Sequence, residues 1–527
     1  MLSLLIFLPV AVAILILSLP SRFERGFRFM CLGVSLIQFL LSFYIYLNFN
    51  SGSSAAGISK SEQYQWIEKL DWIRLNLGSL GKLEIDYFLG IDGLSMPFLL
   101  LSAVVMFVAT IASWEIKTNQ KAYFSLFLLL NTAVMGVFCA LDFFLFYIFY
   151  ELMLLPLYFL IGMWGGVRRE YAAIKFFLYT LFGSVFMLLV IIGLYFSVTN
   201  PVTGNHTFNM VLMMDQANYL DGSIFSALAN QDLFGISARL LAFIVLFIAF
   251  AIKVPIVPLH TWLPDAHVEA PTPVSIILAG LLLKVGGYGI LRICYSIFPD
   301  AAIQSSWWVG LIGMISILYG ALNALAQSDL KRMIAYSSVS HMGFVLLGIA
   351  SATTEGVSGA MYQMISHGAL SAMLFFLVGM IYNRVHDREI SSFRGLSQLM
   401  PEFSAFVMIA FFASLGLPGF SAFIAEAFSL IGAFTSVHIP EWMAIGGSVG
   451  ILLSAAYFLW TLQRMFFGQI RLKGGEEWKL AMHDVNTREK IALIPLAALA
   501  LLLGIFPSLL FGKMNASVLA FVQLITG

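Results

Sequence analysis

Apolar runs of about twenty residues recur along almost the whole chain and constrain its fold more than any other feature. A backbone inside lipid satisfies its polar groups only as helices or as a closed barrel. We expect a spanning helix in each of about fourteen runs, at 1–19, 28–48, 91–113, 121–139, 141–163, 173–198, 238–259, 274–296, 306–326, 330–350, 357–382, 403–433, 444–466 and 489–512. Two connectors, 49–90 and 199–237, are long, and a third at 467–488 is polar and basic. The sequence therefore predicts an all-α polytopic membrane protein with about 14 transmembrane helices.

The composition supports this class and excludes several others. Hydrophobic residues make up 60% of the 527-residue chain and charged residues only 11%, whereas soluble domains have about 25% charged residues. The 28 basic and 28 acidic residues leave no net charge that would attract nucleic acid. The three cysteines lie in apolar runs without a CxxC spacing, so neither a disulfide framework nor an iron–sulfur site is predicted. The sequence also lacks a glycine-rich phosphate-binding motif.

Most Lys and Arg residues lie in the loops that follow odd-numbered runs. Because loops with an excess of basic residues stay in the cytoplasm, this pattern predicts that both termini lie on the outer side. We expect a multi-pass protein of the bacterial inner membrane with periplasmic termini, and the organellar inner membrane is the alternative. When the basic residues at the helix ends are counted with the adjacent loops, only Lys253 and Lys284 remain deep inside the runs; Arg292 is assigned to a helix end on the outer side.

Four charged residues lie near the middle of apolar runs: Glu151, Lys253, Lys284 and Glu426. Charges inside a membrane are costly and usually mark ion or proton paths. A Glu–Lys pair about 4 Å apart attracts by roughly 4 kcal/mol at an effective dielectric of 20. Moving one charge through 100 mV is worth about 2.3 kcal/mol. Making and breaking such a pair is therefore large enough to gate proton uptake.

Histidines accompany these charges. His341 and His367 lie inside apolar runs and are candidates for a proton path, although a single buried histidine also serves as a packing group. His260 and His267 bracket a connector, and we interpret them as loop-structuring or lateral hydrogen-bonding groups, with a role as proton carriers as the alternative. The same connector holds Asp265 and Glu269, which we expect on a cytoplasmic turn without basic neighbours.

Prolines interrupt two of the runs. Pro255 and Pro258 lie in the seventh run, and Pro418 lies in the "GLPGF" segment of the twelfth. Proline removes a backbone donor and clashes with the preceding turn, so these helices should break, although plain kinks are the alternative. Matching breaks in two halves are typical of inverted-repeat transporters, and they predict two inverted five-helix repeats, spans 4–8 and 9–13. The predicted divisions are an N-terminal part, a first half, a second half, and a cytoplasmic loop with the last helix: 1–120, 121–296, 297–466 and 467–527.

Long motifs connect the chain to a known family. The segments "KVPIVPLHTWLPDAHVEAPTPVSIILAGLLLKVGGYG" (253–289) and "SDLKRMIAYSSVSHMGF" (328–344) resemble the antiporter-like membrane subunits of respiratory complex I and of multisubunit sodium/proton antiporters. The glutamate after "LPGFSAFIA" differs from the lysine that the L-type and N-type members look to carry there.

The resemblance implies a role for each candidate residue. Glu151 would pair with Lys253 on a broken helix, and Lys284 would be the central relay. Glu426 would be the terminal proton carrier. His341 and His367 would line the path between them.

The resemblance also implies cofactors and partners. No cofactor is expected on this chain; FMN, iron–sulfur clusters, NADH and quinone would be held by other subunits. The expected partners are other membrane-arm subunits, including L-type and N-type subunits, and the lipid bilayer, but no nucleic acid. Alternative functions are a subunit of a sodium/proton antiporter, a subunit of a membrane-bound hydrogenase, and a structural scaffold.

Overall fold

The computed structural model describes residues 1–527 except 53–59, 61–62, 77, 79–81, 228–230 and 234. The described chain is mostly helical. Its helices are α1 Leu2–Ser18, α2 Glu24–Asn48, α3 Met96–Ala112, α4 Gln120–Cys139, α5 Phe143–Leu152, α6 Leu154–Trp164, α7 Arg169–Ser197, α8 Met210–Met213, α9 Ala238–Lys253, α10 Trp262–Glu269, α11 Thr272–Ile277, α12 Leu283–Gly289, α13 Pro299–Leu325, α14 Leu330–Ala350, α15 Thr354–Val385, α16 Leu396–Leu399, α17 Pro401–Ser414, α18 Ser421–Thr435, α19 Glu441–Phe466, α20 Gly475–Ala481, α21 Thr487–Ile505 and α22 Ser508–Thr526.

In the described residues, three two-stranded antiparallel sheets accompany the helices. They pair β1 Gln65–Asn76 with β2 Lys82–Ile91, β3 Asp232–Leu233 with β4 Ile236–Ser237, and β5 Phe393–Arg394 with β6 Arg471–Leu472. The predicted outer connector 49–90 is therefore largely a β-hairpin. The all-α expectation was wrong for this segment, because strand pairing depends on contacts that helical periodicity does not report.

Eleven helices of the described chain are long and apolar enough to cross a membrane, and α1, α17 and α18 are shorter apolar helices. Each predicted run coincides with one helix or with consecutive helices. The run at 141–163 divides at Met153 into α5 and α6, and the run at 403–433 divides into α17 and α18. The polytopic helical class is thus confirmed in its coarse form.

The end of the chain differs from the prediction. The run expected at 489–512 ends at Ile505, and a separate helix, α22, follows Pro507. Hydrogen bonds tie α22 to residues at one end of the bundle: Tyr46 to the Leu509 carbonyl, Lys513 to the Phe49 carbonyl, and the Gly93 amide to Ser517. The helix therefore lies along the end of the bundle that carries the hairpin.

The centre of the bundle is formed by α11 to α12, α14 and α15. Every residue in the most apolar part of Thr272–Tyr295 and of α15 is buried, whereas α7 and α19 bury only 39% of theirs. Exposed apolar side chains on α7 and α19 are suited to contact lipid. The central helices carry the candidate site.

Arg292 was expected at an outer helix end, but the structure buries it completely. Its guanidinium forms an ion pair with Asp92, which is also fully buried, and donates a hydrogen bond to the Tyr64 hydroxyl at 2.9 Å. The pair joins the segment before α3 to the segment after α12. A buried ion pair holds such segments in register because breaking it leaves a charge without a partner.

We expect Asp92→Asn to destabilise the protein by about 3–5 kcal/mol, since Arg292 would remain charged and buried. The double variant Asp92→Leu with Arg292→Met should lose less stability than Asp92→Asn, because it leaves no buried charge without a partner. The measurement is thermal unfolding of the purified protein in detergent. Glu402→Gln is the control, because it breaks the exposed pair with Lys490, which is worth about 1 kcal/mol or less. Equal destabilisation by Asp92→Asn and Glu402→Gln would contradict the prediction.

Candidate functional site

The seventh predicted run is a broken helix. α9 ends at Lys253, two residues before Pro255, and α10 begins at Trp262. Proline cannot donate the next helical hydrogen bond, so the chain leaves the helix there. The Trp262 indole donates to the Ile252 carbonyl at 2.7 Å and holds the two halves together. The connector expected from residue 260 onward is thus in part a buried helix.

Lys253 is 3% exposed and contacts Tyr150. Its Nζ donates to the Tyr150 carbonyl at 3.3 Å and lies 3.1 Å from the centroid of the Tyr150 ring. Within the described residues no ion pair joins Lys253 to Glu151, which follows Tyr150 in the chain. The predicted pair is therefore open in this structure.

Lys284 is completely buried at the centre of the bundle. Its Nζ lies 2.6 Å from the Ala279 carbonyl, to which it donates, and 2.6 Å from His367 Nδ1. π-helical turns flank it at Leu278–Leu282 and Ile290–Tyr295. Such turns are frequent at functional sites, because they widen the helix and change its hydrogen bonding.

A row of buried groups continues from Lys284. The ring centroids of His367 and His341 are 5.5 Å apart. His341 Nδ1 lies 3.3 Å from a carboxylate oxygen of Glu426, which is 1% exposed. Four ionisable side chains from α12, α15, α14 and α18 thus form one row, which we call the central row. The sequence placed these residues on separate helices, and the fold brings them together.

A small polar cavity borders the central row. Its volume is about 10 Å³, close to the space that one water molecule occupies. Besides His341 and His367, polar side chains line it: Ser337, Ser338, Gln363, Ser371 and Ser414. Hydroxyl groups can both donate and accept hydrogen bonds, so they can connect the two imidazoles.

The twelfth run is broken between α17 and α18, around Pro418. Gly416 in this break has φ +77°, a conformation that favours glycine. A Cβ atom on Gly416 would lie 2.7 Å from a carboxylate oxygen of Glu426. The break therefore provides the space that the Glu426 carboxylate occupies.

The acids of the 260–271 connector have basic partners, contrary to the expectation. Asp265 pairs with Lys175 at 2.7 Å and with Arg332 at 3.4 Å. Glu269 lies 3.8 Å from Arg168. These partners are remote in sequence, so their positions could not be read from local pattern.

Two side chains near this connector are buried although the sequence did not predict their burial. His267 lies on α10 and is fully buried; its ring stacks on Phe375 at 4.3 Å, and neither ring nitrogen has a hydrogen-bond partner among the described residues. Lys331, the second residue of the predicted run 330–350, is 6% exposed and donates to the Ala270 carbonyl at 2.6 Å. A cavity of about 310 Å³ borders Lys331; its lining includes Glu115, Gly166, Glu269, Asn383 and Arg388.

No group of three or more His, Cys, Asp or Glu side chains in the described ranges could hold a metal ion. The three cysteines, Cys31, Cys139 and Cys294, are free and buried. The chemistry that these residues offer is proton transfer between amine, imidazole and carboxylate groups.

Family models match most of the chain. Residues 140–454 match the family described as NADH:quinone oxidoreductase/Mrp antiporter, transmembrane, and residues 72–140 match the amino terminus of NADH-ubiquinone oxidoreductase chain 4. The matched ranges contain the whole central row and the broken helix at Lys253.

Curated relatives match over nearly the full length. NADH-quinone oxidoreductase subunit M of Rhodobacter capsulatus is 39% identical, covering 99% of this chain and 96% of the relative. NADH-ubiquinone oxidoreductase chain 4 of Chondrus crispus is 37% identical, covering 98% and 96%.

Solved structures share the fold. Respiratory complex I from Thermus thermophilus contains a chain that matches with a TM-score of 0.83 and 29% identity, covering 100% of both chains. A chain of the Mrp complex from Dietzia matches with a TM-score of 0.79 at 20% identity, covering 100% of this chain and 99% of that one, which shows the fold alone. Together with the relatives, these matches show that the chain belongs to the NADH:quinone oxidoreductase/Mrp antiporter family and, within it, to the subunit M group.

Proposed function

We propose that this chain moves protons across the membrane through Glu151, Lys253 and the central row, as the M subunit of an NADH–quinone oxidoreductase. Curated relatives in the subunit M group are named as subunits of NADH-quinone oxidoreductase, and the redox chemistry of that complex would be carried out on other subunits. The single observation that carries the residue assignment is the unbroken series of buried side chains from Lys284 through both histidines to Glu426.

The central row can pass a proton in steps. The 2.6 Å contact between Lys284 and His367 is short enough for direct transfer from the ammonium to the imidazole. A neutral imidazole can accept a proton on one nitrogen and release one from the other. The polar cavity connects His367 to His341, and Glu426 receives the proton from His341.

The first half of the path begins at Glu151 and Lys253. In the open arrangement the Lys253 ammonium is stabilised by a carbonyl and an aromatic face instead of the carboxylate. Closing the Glu151–Lys253 pair would favour the charged amine and hold its proton; opening it would favour release toward Lys284. α9 and α12 pack closely here, since a Cβ on Gly286 would lie 2.8 Å from the Val254 nitrogen.

Proton uptake would use the cavity beside Lys331. The lining of this cavity includes the acids Glu115 and Glu269 and the bases Lys331 and Arg388, and Glu269 is the last residue of α10, on which His267 is fully buried. His267 would be a further proton carrier, which is the alternative to the loop-structuring role expected from sequence.

The remaining predictions form part of the same proposal. The two inverted repeats would comprise 121–296 and 297–466, flanked by 1–120 and 467–527, and both termini would face the periplasm of the bacterial inner membrane. NADH, FMN, iron–sulfur clusters and quinone would be bound by other subunits. The L-type and N-type subunits would be neighbours in the membrane arm. The broken helices, which expose backbone groups near Lys253 and Glu426, support the repeat assignment.

We expect Glu151→Gln to lower proton translocation by about a hundredfold, because an amide cannot carry the proton. Membrane vesicles are assayed for NADH oxidation by a quinone analogue and for NADH-driven acidification of the lumen. A native gel checks that the complex is assembled. Both activities should fall together. Glu441→Gln is the control, because Glu441 is exposed at the start of α19.

Normal activity of an assembled Glu151→Gln complex would contradict the assignment of Glu151 as a proton carrier. Sodium/proton exchange by the same vesicles would then be the next measurement, because it would favour the antiporter alternative.

Gly416→Ala tests the space around Glu426. The new Cβ would displace the Glu426 carboxylate, and misplacement by about 1 Å can cost a large factor in rate, so we expect translocation to fall about tenfold or more. Gly419→Ala is the matched control: Gly419 also has positive φ, +96°, but a Cβ there meets nothing within 4 Å. Both substitutions strain the backbone similarly. An equal loss of translocation in the two variants would refute the role of Gly416 in positioning Glu426.

A further inference from the structure

A basic cavity lies where the C-terminal end of α19 meets the β5–β6 pair, and no residue of the central row lines it. Its volume is about 850 Å³. We call it the basic pocket and define it by six lining residues: Arg394, Trp460, Gln463, Arg464, Arg471 and Lys473. The family motifs at 253–289 and 328–344 do not contain the arginines of this cavity.

The basic pocket contains more positive charge than its acids can neutralise. Glu389 is the one acid among its lining residues. In the described part of the chain, Arg394, Arg464 and Arg471 form no ion pair, and Lys473 reaches Asp387 only at 3.7 Å. Four bases therefore face one cavity with a single acid in its wall.

The β5–β6 pair places two of these cations directly opposite each other. Arg394 pairs with Arg471 in the antiparallel register. Side chains at opposed positions lie on the same face of the sheet with Cβ atoms about 5 Å apart, and like charges there destabilise the pair. An anion between the two guanidinium groups would relieve this repulsion.

Arg464 supplies a third guanidinium that is already fixed in place. It lies over the Trp460 ring, 3.8 Å from the centroid, and its Nε is buried without a hydrogen-bond partner among the residues that the structure describes. A buried donor without an acceptor is costly, so the position is suited to receive an oxygen atom. Stacking on an aromatic face keeps the guanidinium in this orientation.

The basic pocket lies at the end of a face suited to lipid. α19 exposes Leu452 at 72%, Leu459 at 45% and Trp460 at 46%. Tryptophan is enriched where hydrocarbon meets the headgroup layer. The pocket also lies in the predicted cytoplasmic region, where anionic lipids concentrate.

We propose that the basic pocket binds the phosphate of an anionic phospholipid from the cytoplasmic leaflet. The guanidinium groups of Arg394, Arg464 and Arg471 would donate to the phosphate oxygens, a geometry that arginine forks match well. The acyl chains would lie along the apolar face of α19. This face favours a lipid over free phosphate or an acidic protein segment.

The test uses the assembled complex, delipidated in neutral detergent and titrated with fluorescent phosphatidylglycerol. We expect saturable binding that weakens about 25-fold in Arg394→Gln with Arg471→Gln, since each arginine near the membrane surface contributes about fivefold. Arg22→Gln with Lys117→Gln is the control, because it removes two exposed basic residues elsewhere and should leave binding unchanged. Arg394→Lys with Arg471→Lys keeps the charge and should lose less affinity than the glutamine variant.

Competition separates the sources of the phosphate. Unlabelled phosphatidylglycerol should displace the probe, whereas inorganic phosphate at the same concentration and phosphatidylcholine should not. Equal displacement by inorganic phosphate would overturn the lipid proposal in favour of a phosphate site. Unchanged binding in the glutamine variant would overturn it entirely. Loss of a neighbouring subunit from the variant complex on a native gel would instead identify the pocket as a protein interface and overturn it as well.

Discussion

The contact between Lys284 and His367 shows the constraint on which the rest of the structure depends: polar groups inside the bundle must find partners within the protein. A buried amine without a partner is costly. Lys284 meets this requirement with the Ala279 carbonyl and the His367 imidazole. The flanking π-helical turns widen the helix and change its backbone hydrogen bonding around the lysine. The requirement is met less completely further along the central row: neither carboxylate oxygen of Glu426 and not the Nε2 of His341 has a hydrogen-bond partner among the described residues. Buried polar atoms without partners are costly, so they mark the part of the row where the proposed proton transfer would depend on water.

The two helix breaks give their ionisable residues different surroundings. Lys253 is the last residue of α9, where unpaired carbonyls favour a cation. Glu426 lies in the second turn of α18, beyond the unpaired amides, and its carboxylate occupies the space that Gly416 leaves in the break. A continuous helix would offer neither environment.

Hydropathy and helix-breaking residues predicted most of the helices, because both signals are local in sequence. The same local signal picked out the four charged residues inside the apolar runs: Glu151, Lys253, Lys284 and Glu426. Long-range partners were not predictable in the same way. Arg292 and Asp92 are 200 residues apart, and the basic partners of Asp265 come from α7 and α14. The hairpin was missed because its polar strands do not produce a spanning signal. α22 is apolar enough to span a membrane, but the prediction joined its first residues to the preceding run at 489–512 and did not separate the two helices at Pro507. The contact of Lys253 with Tyr150 depends on a side-chain orientation that no sequence pattern reports.

The open arrangement of Glu151 and Lys253 bears on how large a motion the proposed path requires. Two unit charges attract by about 4 kcal/mol at 4 Å and by about half as much at twice that distance, at an effective dielectric of 20. The difference, about 2 kcal/mol, is close to the work of moving one charge through 100 mV. Lys253 stands at the end of α9, where the backbone already leaves the helix. A displacement of a few ångströms at this break is therefore enough to change which group holds the proton, and no large rearrangement of the helices is needed.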